Sequence, residues 1–237
     1  MRLDKFLSNS LRLSRAEIPL ILKQNRVSVN GATIKKKDFK VDEKRDEVKL
    51  DGNVVKYKEF IYFVMNKPKG VVSARVDNID KTVVDLIDTD YVISPIGRLD
   101  KDTTGLLLLT NDGSLLHSLT SPQSNIVKKY YVECDKELDD EEMFLFENGI
   151  EIRDGNDILF NTKPAKIEKK SSFNYIVSIS EGKFHQVKKM FMYFNANVLE
   201  LKRLSFGPIR LSSDLEEGKY RELTDKELEL LKKSIKC

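Results

Sequence analysis

The sequence has few of the residues that build metal and disulfide sites. It contains two cysteines, Cys134 and Cys237, and two histidines, His117 and His185, and no two of them lie close together in the sequence. This spacing is not that of a disulfide framework or of a clustered metal site. We therefore expect no bound metal, and two free thiols of the kind that cytoplasmic proteins carry.

Long apolar runs are also missing. No stretch approaches the roughly 18 consecutive apolar residues that a membrane-spanning helix requires. The first ten residues, MRLDKFLSNS, have no apolar core after their charged residues, so we expect neither a membrane contact nor a secretory signal. The composition, with 40% hydrophobic and 33% charged residues, is typical of a globular protein.

The charge of the chain is distributed unevenly. The net charge is only +3, yet residues 1–59 carry 15 Lys and Arg against 9 Asp and Glu, a net charge of +6, and residues 60–237 have a net charge of −3. This pattern is typical of a small basic module for a polyanion joined to a near-neutral body. An ordinary solvated surface would explain the same charges equally well.

Residues 1–59 predict a small separate domain of helices and hairpins. Apolar residues at helical spacing predict a helix over 2–10, and a capping-box pattern at 14–17 predicts a second helix. Pro19 should kink this second helix or delay its start. Two alternating segments that end in Asn-Gly or Asp-Gly, 27–31 and 48–53, predict short hairpins.

Residues 60–237 predict a larger domain of irregularly mixed elements. The predicted strands are 60–65, 105–110, 129–134, 175–180 and 198–204, and the predicted helices are 114–119, 139–148, 185–194 and 224–233. Because regular strand–helix–strand units are lacking, we expect an α+β fold with a mixed, largely antiparallel sheet flanked by helices.

The most unusual segment is the charged loop GRLDKDTTG at 97–105, which leads directly into the apolar run LLLLT. A loop fixed at the end of a buried strand is a position where catalytic groups are held well. Asp100 lies between Arg98 and Lys101, and nearby cations would keep it ionised. From composition alone, an ordinary surface turn with local ion pairs remains the more frequent explanation.

Two further segments could carry chemistry. Residues 180–191, SEGKFHQVKKMF, predict a glycine turn and an amphipathic helix whose free N-terminal amides favour an anion, with Lys188 and Lys189 facing outwards. Tyr130 and Tyr131 are adjacent on a predicted strand and therefore point to opposite faces, so one could pack in the core while the other offers its ring to a base. Periodicity alone is equally consistent with a plain helix and plain strand tyrosines.

Together, these segments resemble the family of ribosomal small-subunit pseudouridine synthases (RsuA). MRLDKFL, the Ser-Arg-Ala at 14–16 and VSVNG at 27–31 resemble the alpha-L RNA-binding domain of that family, and GRLDKDTTGLLLLTNDG resembles its active-site motif. KPKG at 67–70, KYY at 129–131, EGKFHQVKKMF and LKR at 201–203 follow in the order of the family. The resemblance spans essentially the whole chain and implies an RNA-binding domain at 1–59 followed by a catalytic domain at 60–237.

The resemblance also implies roles for individual residues. Asp100 would be the catalytic carboxylate, Tyr131 the tyrosine that stacks on the target base, Lys188 the cation that pairs with the aspartate, and Leu201 a wall of the base pocket. Where many relatives carry Arg, Lys188 pairs as a point charge without a bidentate fork. Contacts to RNA are expected from Arg98, Arg2, Lys5, Arg15, Arg26, Lys129, Lys189 and Arg203.

The implied activity is the isomerisation of one uridine of 16S ribosomal RNA to pseudouridine by a cytoplasmic monomer. The reaction needs no redox step and no external energy, so no cofactor is expected. A carboxylate could act on the ribose as nucleophile or as general base, and both routes stay open. The alternatives are a family member acting on 23S ribosomal RNA, a catalytically idle RNA-binding or ribosome-assembly protein, and a basic nucleic-acid-binding domain fused to an unrelated α+β enzyme.

Overall fold

The computed structural model describes residues 1–11, 13, 16–57, 59–89 and 91–235. The chain divides into two compact units, one formed by Met1–Ile61 with Asp88–Ile93 and the other by Tyr62–Ile87 with Ser94–Cys237. The domain bounds 1–59 and 60–237 remain a prediction about which segments act as domains.

The described part of the first unit contains two helices and a small antiparallel sheet. Its elements are α1 (Leu3–Ser10), α2 (Glu17–Lys23), β1 (Val27–Val29), β2 (Ala32–Thr33), β3 (Val48–Leu50) and β4 (Asn53–Val54), and the strand order is β2–β1–β3–β4. Both expected hairpins are present. Asn30-Gly31 and Asp51-Gly52 form two-residue loops with positive φ at both positions, as type I′ turns require.

Helix α2 begins later than the capping-box pattern predicted. Ala16 occupies the N-cap position, and Pro19 lies in the first turn, where backbone N–H groups have no partner within the helix. Pro19 therefore costs no helical hydrogen bond there. The predicted cap residue, Ser14, lies outside the described residues.

The second unit contains the large sheet. Its strands are β5 (Tyr62–Lys67), β6 (Ser94–Ile96), β7 (Thr104–Thr110), β8 (Lys128–Cys134), β9 (Glu151–Arg153), β10 (Leu159–Asn161), β11 (Lys166–Ser171), β12 (Asn174–Ile179), β13 (Val198–Phe206), β14 (Ile209–Arg210) and β15 (Tyr220–Glu222). Its helices are α3 (Gly113–Thr120), α4 (Asp140–Asn148), α5 (Gln186–Tyr193) and α6 (Asp225–Lys233), with short 3₁₀ helices at Val84–Leu86 and Pro122–Ser124.

The main sheet is mixed, as expected, and β7 lies inside it. The strand order is β11–β12–β8–β13–β7–β5–β15, with β14 paired to β13, β6 paired to β7, and β9 and β10 forming a separate pair. Only the β13–β7 pairing is parallel among the described strand pairs. Every residue of β7 is buried. The apolar run after the charged loop is therefore an interior strand, and the charged loop ends on a rigid element.

Gly105 allows β7 and β13 to approach closely. Its φ is +99°, and a Cβ atom built on it would lie 2.3 Å from the backbone oxygen of Arg203. Only glycine combines this backbone conformation with this contact at low cost. The close approach brings the beginning of β7 beside Leu201 and Arg203 of β13.

Candidate active site

Lys67, the last residue of β5, anchors the charged loop to the sheet. Its side chain is fully buried, and its ammonium group donates to the backbone oxygens of Pro68 (2.9 Å), Lys101 (3.3 Å) and Thr103 (2.9 Å). Burial lowers the pKa of Lys67 to about 8, while nearby carboxylates act in the opposite direction. A buried cation therefore joins two carbonyl groups of the charged loop, those of Lys101 and Thr103, to the end of β5.

Ser73 fixes the loop at a second point. Its hydroxyl group donates to the backbone oxygen of Leu99 at 2.8 Å and accepts from the backbone N–H of the same residue at 3.0 Å. A turn closed by the N–H of Thr103 on the backbone oxygen of Asp100, at 3.1 Å, follows directly. Asp100 is thus held between two anchored positions, which limits how far its carboxylate can move.

The Asp100 carboxylate faces two cationic or potentially cationic side chains from the region of α5. The Nζ atom of Lys188 lies 3.5 Å from one carboxylate oxygen, and the Nε2 atom of His185 lies 3.4 Å from the other. Lys188 also donates to both carboxylate oxygens of Asp102, at 2.6 and 2.7 Å. Burial acts to raise the pKa of Asp102, but the hydrogen bonds and charge of Lys188 outweigh it and lower that pKa. Lys188 therefore bridges two aspartates.

The cations expected to flank Asp100 are not its partners. Lys101 forms an ion pair with Asp80 at 2.6 Å, and Arg98 makes no ion pair within the described part of the chain. Sequence neighbours in a loop point in different directions, so adjacency did not predict the pairing. Arg98 is exposed and lines the small cavity against Asp100 as well as two larger cavities of about 470 and 510 Å³.

The small cavity against Asp100 has a volume of about 60 Å³ and an apolar wall. That wall is formed by Tyr130 of β8, Ile179 of β12, Val187 of α5 and Leu201 of β13. The carboxylate thus lies at the edge of a pocket with one aromatic ring and several aliphatic side chains. Such a lining suits a planar, partly apolar group such as a nucleobase.

The tyrosine that lines this pocket is Tyr130, and not Tyr131, the residue expected to stack on the target base. Tyr130 is buried and pairs across the sheet with Val177 and Arg203, on the face that lines the pocket. Tyr131 lies on the opposite face, where its hydroxyl group donates to the side-chain oxygen of Asn174 at 3.0 Å. Strand alternation predicts that the two rings diverge but does not say which one faces the pocket.

Comparison with known proteins identifies the family. The sequence model of the RNA pseudouridylate synthase family matches residues 61–193, and the sequence model of the S4 domain family matches residues 1–48. An uncharacterized RNA pseudouridine synthase of Bacillus subtilis is 44% identical over 98% of both chains. Ribosomal small subunit pseudouridine synthase A of Escherichia coli K12 is 38% identical over 96% of this chain and 98% of that protein. The chain belongs to the RNA pseudouridylate synthase family.

A solved pseudouridylate synthase shares the fold of this family member. Its crystal structure superposes with a TM-score of 0.69 at 35% sequence identity and covers 98% of this chain and 99% of that one. The family, the isomerase class, the α+β fold and the N-terminal RNA-binding domain predicted from the sequence are therefore confirmed.

The pseudouridine synthase places only some of its expected RNA-binding residues at the pocket. Lys189 instead donates to the backbone oxygens of Arg153 and Asp154, both at 2.9 Å, and so stabilises the start of the turn between β9 and β10. Lys129 is exposed but shares the sheet face of Tyr131, away from the pocket. Arg203 is buried and lines the cavity of about 470 Å³.

The expected RNA-binding residues of the first unit lie at its surface. Arg2 forms an ion pair with Asp4 at 2.6 Å, and Arg26 forms one with Asp51 at 2.6 Å. Arg2 and Lys5 line a groove of about 400 Å³. Arg15 lies outside the described residues. These groups are accessible to a polyanion, although two of them already have carboxylate partners.

Sequence reasoning missed three residues of the site. KPKG supports the family resemblance, but no role is predicted for Lys67, because lysine is rarely buried and nothing in the sequence shows that this one is. Ser73 carried no signal at all. His185 occupies the N-cap position of α5 with a positive φ of 52°, and its ring stacks on Phe184; its contact with Asp100 was not predicted from the sequence.

Metal-binding and membrane features are not found in the described residues. No group of three or more His, Cys, Asp or Glu side chains there is placed to hold a metal ion. None of the described helices combines the length and the apolar character that a membrane crossing requires.

Proposed function

We propose that this pseudouridine synthase isomerises one specific uridine of 16S ribosomal RNA, of the position-516 type. The observation that carries the proposal is the Asp100 carboxylate, which lies between Lys188 and His185 at the edge of a pocket walled by Tyr130 and Leu201. The choice of small-subunit RNA is supported by relatives of that name, which are about 38% identical over nearly the whole chain.

Asp100 is the proposed catalytic residue. The reaction breaks the bond between C1′ of the ribose and N1 of uracil, rotates the base and joins C1′ to C5, whose proton is then removed while N1 regains one. The carboxylate acts on the ribose either as nucleophile or as general base. Lys188 and His185 orient it, and Lys188 stabilises its negative charge at 3.5 Å. Because the overall reaction is an isomerisation, it requires no external oxidant or energy source.

The pocket walls hold the base. A uridine must leave its stack to reach Asp100, which costs a few kcal/mol. Stacking on the ring of Tyr130 returns about 1–3 kcal/mol, and Leu201 closes the pocket as a second apolar wall. Arg98, exposed where three cavities meet, holds the displaced nucleotide or fills the space that it leaves in the RNA.

Residues 1–59 and residues 60–237 have different roles in this proposal. Residues 1–59 supply sequence-independent phosphate contacts from Arg2, Lys5 and Arg26, and residues 60–237 supply the chemistry. Phosphate contacts of this kind weaken as the salt concentration rises, because counterions compete with the protein. We further propose that the enzyme acts as a monomer in the cytoplasm.

Mapping of pseudouridine in both ribosomal RNAs, in cells with and without the gene, tests this proposal. Loss of one 16S site, restored by the wild-type gene but not by Asp100→Asn, is the expected result. Loss of a 23S site instead would retain the chemistry and overturn the substrate. Unchanged maps would refute the proposal in favour of an idle RNA-binding protein.

A further inference from the structure

A second cavity, of about 470 Å³, adjoins the Asp100 pocket. The two share Arg98, Tyr130, Gly182 and Lys183 among their lining residues, so a strand with one nucleotide at Asp100 can continue directly into it. Its volume is within the range of about 300–1,000 Å³ that small-molecule ligands occupy, which is enough for one nucleotide. We call it the Arg203 cavity.

Arg203 is a buried cation without a carboxylate partner in the described part of the chain. Its side chain is 2% exposed, and its Nε atom donates to the backbone oxygen of Leu106 at 2.7 Å. Its Nη2 atom has no hydrogen-bond partner, and its guanidinium group lies 5.4 Å from the ring of Phe206. Buried charges are normally paired, because an unpaired one is costly. The Arg203 side chain lines the cavity with one unsatisfied donor and with a charge that no carboxylate of the described residues balances.

Lys128 adds a second cation on the same wall. It precedes Tyr130 by two residues on β8 and therefore faces the same side, where its Nζ atom lies 5.7 Å from the ring of Phe206. Within the described residues, no hydrogen bond or ion pair involves this ammonium group. Burial and then the charge of Arg203 lower the pKa of Lys128 to about 8. A bound anion would favour the charged forms of both side chains.

The remaining charges around the cavity do not neutralise this pair. Glu181 is the carboxylate among the described lining residues, and its Oε1 atom already accepts from the backbone N–H of Lys163 and from the side chain of Gln186. Leu119, Pro122 and Phe206 supply an apolar wall beside the two cations. The cavity thus offers a positive end for a phosphate and an apolar side for a sugar or base.

We propose that the Arg203 cavity binds the nucleotide next to the target uridine, with its phosphate on Arg203 and Lys128. This assignment rests on the proposed function. A phosphodiester suits the site because two cations line the same cavity, both beside the ring of Phe206. Continuity with the Asp100 pocket favours the RNA strand over a free anion. Lys128 and Arg203 are thereby substrate-positioning residues that set where the strand runs.

The test uses the full-length protein and a 16S RNA fragment that contains the target uridine. Affinity is measured for wild type, Lys128→Gln and the control Lys226→Gln, which removes the same charge from an exposed position on α6. Lys128→Gln should weaken binding about tenfold and reduce the slope of log affinity against log salt by about 1. Lys226→Gln should stay within about twofold of wild type. Equal effects of the two substitutions would overturn the proposal.

Replacing single phosphates in the RNA locates the contact. A neutral methylphosphonate on one side of the target uridine should lower the affinity of wild type about tenfold. It should lower the affinity of Lys128→Gln less than about twofold, because that variant has already lost the contact to the phosphate. Equal costs in both proteins would overturn the assignment. Arg203→Lys, which keeps the charge, should show a partial loss, with thermal unfolding as the check on folding.

Two parallel measurements separate the possible failures. Pseudouridine formation by wild type on the same fragment tests the proposed function. If wild type forms no pseudouridine on any ribosomal RNA, both the proposed function and the assignment of the cavity to RNA are overturned. If wild type is active but Lys128→Gln binds normally, only the cavity proposal fails. Tight, Lys128-dependent binding of inorganic phosphate without any methylphosphonate effect would identify a free-anion site and overturn the RNA assignment.

Discussion

Replacing Lys67 by methionine should separate stability from activity. The fall of the Lys67 pKa from 10.5 to about 8 means that burying its charge costs about 3 kcal/mol. Removing the ammonium relieves that cost but leaves the carbonyls of Pro68 and Thr103 without this donor, at about 1–3 kcal/mol each. The carbonyl of Lys101 would still accept a hydrogen bond from the N–H of Gly70, at 2.8 Å. The free energy of unfolding should therefore fall by about 3 kcal/mol at most.

Turnover should fall much further than stability. Without the anchor, the loop that carries Asp100 can shift, and displacements of about 1 Å typically cost about a hundredfold in rate. The assay is pseudouridine formation on 16S RNA, together with RNA affinity, which should change by less than a few-fold. Lys69→Met, at an exposed position two residues away, is the control and should keep normal turnover. Turnover of Lys67→Met within about threefold of wild type would refute the positioning role.

The difference in stability between wild type and Lys67→Met should also depend on pH. The folded pKa of Lys67 lies below its unfolded value, so between pH 8 and 10.5 the unfolded chain binds more protons than the folded one. The stability of wild type relative to Lys67→Met should therefore rise with pH across this window and be flat below pH 8. Urea unfolding at several pH values measures it, and a flat difference throughout would show that the charge is not buried.

Three further experiments test other parts of the account. Tyr130→Ala should reduce turnover at least about tenfold by removing the stacking ring, whereas Tyr131→Ala should leave turnover nearly unchanged, because its ring lies on the opposite sheet face. Gly105→Ala should lower the free energy of unfolding in urea by about 3 kcal/mol, since its Cβ would lie 2.3 Å from the backbone of β13, while Gly113→Ala, with no atom within 4 Å, should change it little. Lys5→Gln should reduce the salt slope of RNA binding by about 1, and an unchanged slope would show that this side chain does not contact phosphate.

The sequence predicted those parts of the fold that depend on local pattern. The apolar run after the charged loop became β7, and Asn30-Gly31 and Asp51-Gly52 formed the expected turns. The Thr224–Glu227 capping box is present at the start of α6. Strands of two or three residues, such as β9, β10 and β14, were not predicted, because so few residues show no periodicity.

The site depended more on distant contacts. Asp100 and Lys188 were both expected at the site, but the bridge from Lys188 to Asp102 joins residues 86 positions apart, and no local pattern contains it. The choice between Tyr130 and Tyr131 depends on which sheet face α5 covers. Lys67 acts through backbone carbonyls, which every residue has, so its role could not be found from partner side chains.

Pseudouridine formation on 16S ribosomal RNA by the purified protein tests the central claim most directly. The account predicts one modified uridine with wild type, none with Asp100→Asn, and RNA affinities of the two proteins within a few-fold of each other in a gel shift. Conversion by folded Asp100→Asn at a rate near that of wild type would contradict the claim that this carboxylate performs the isomerisation.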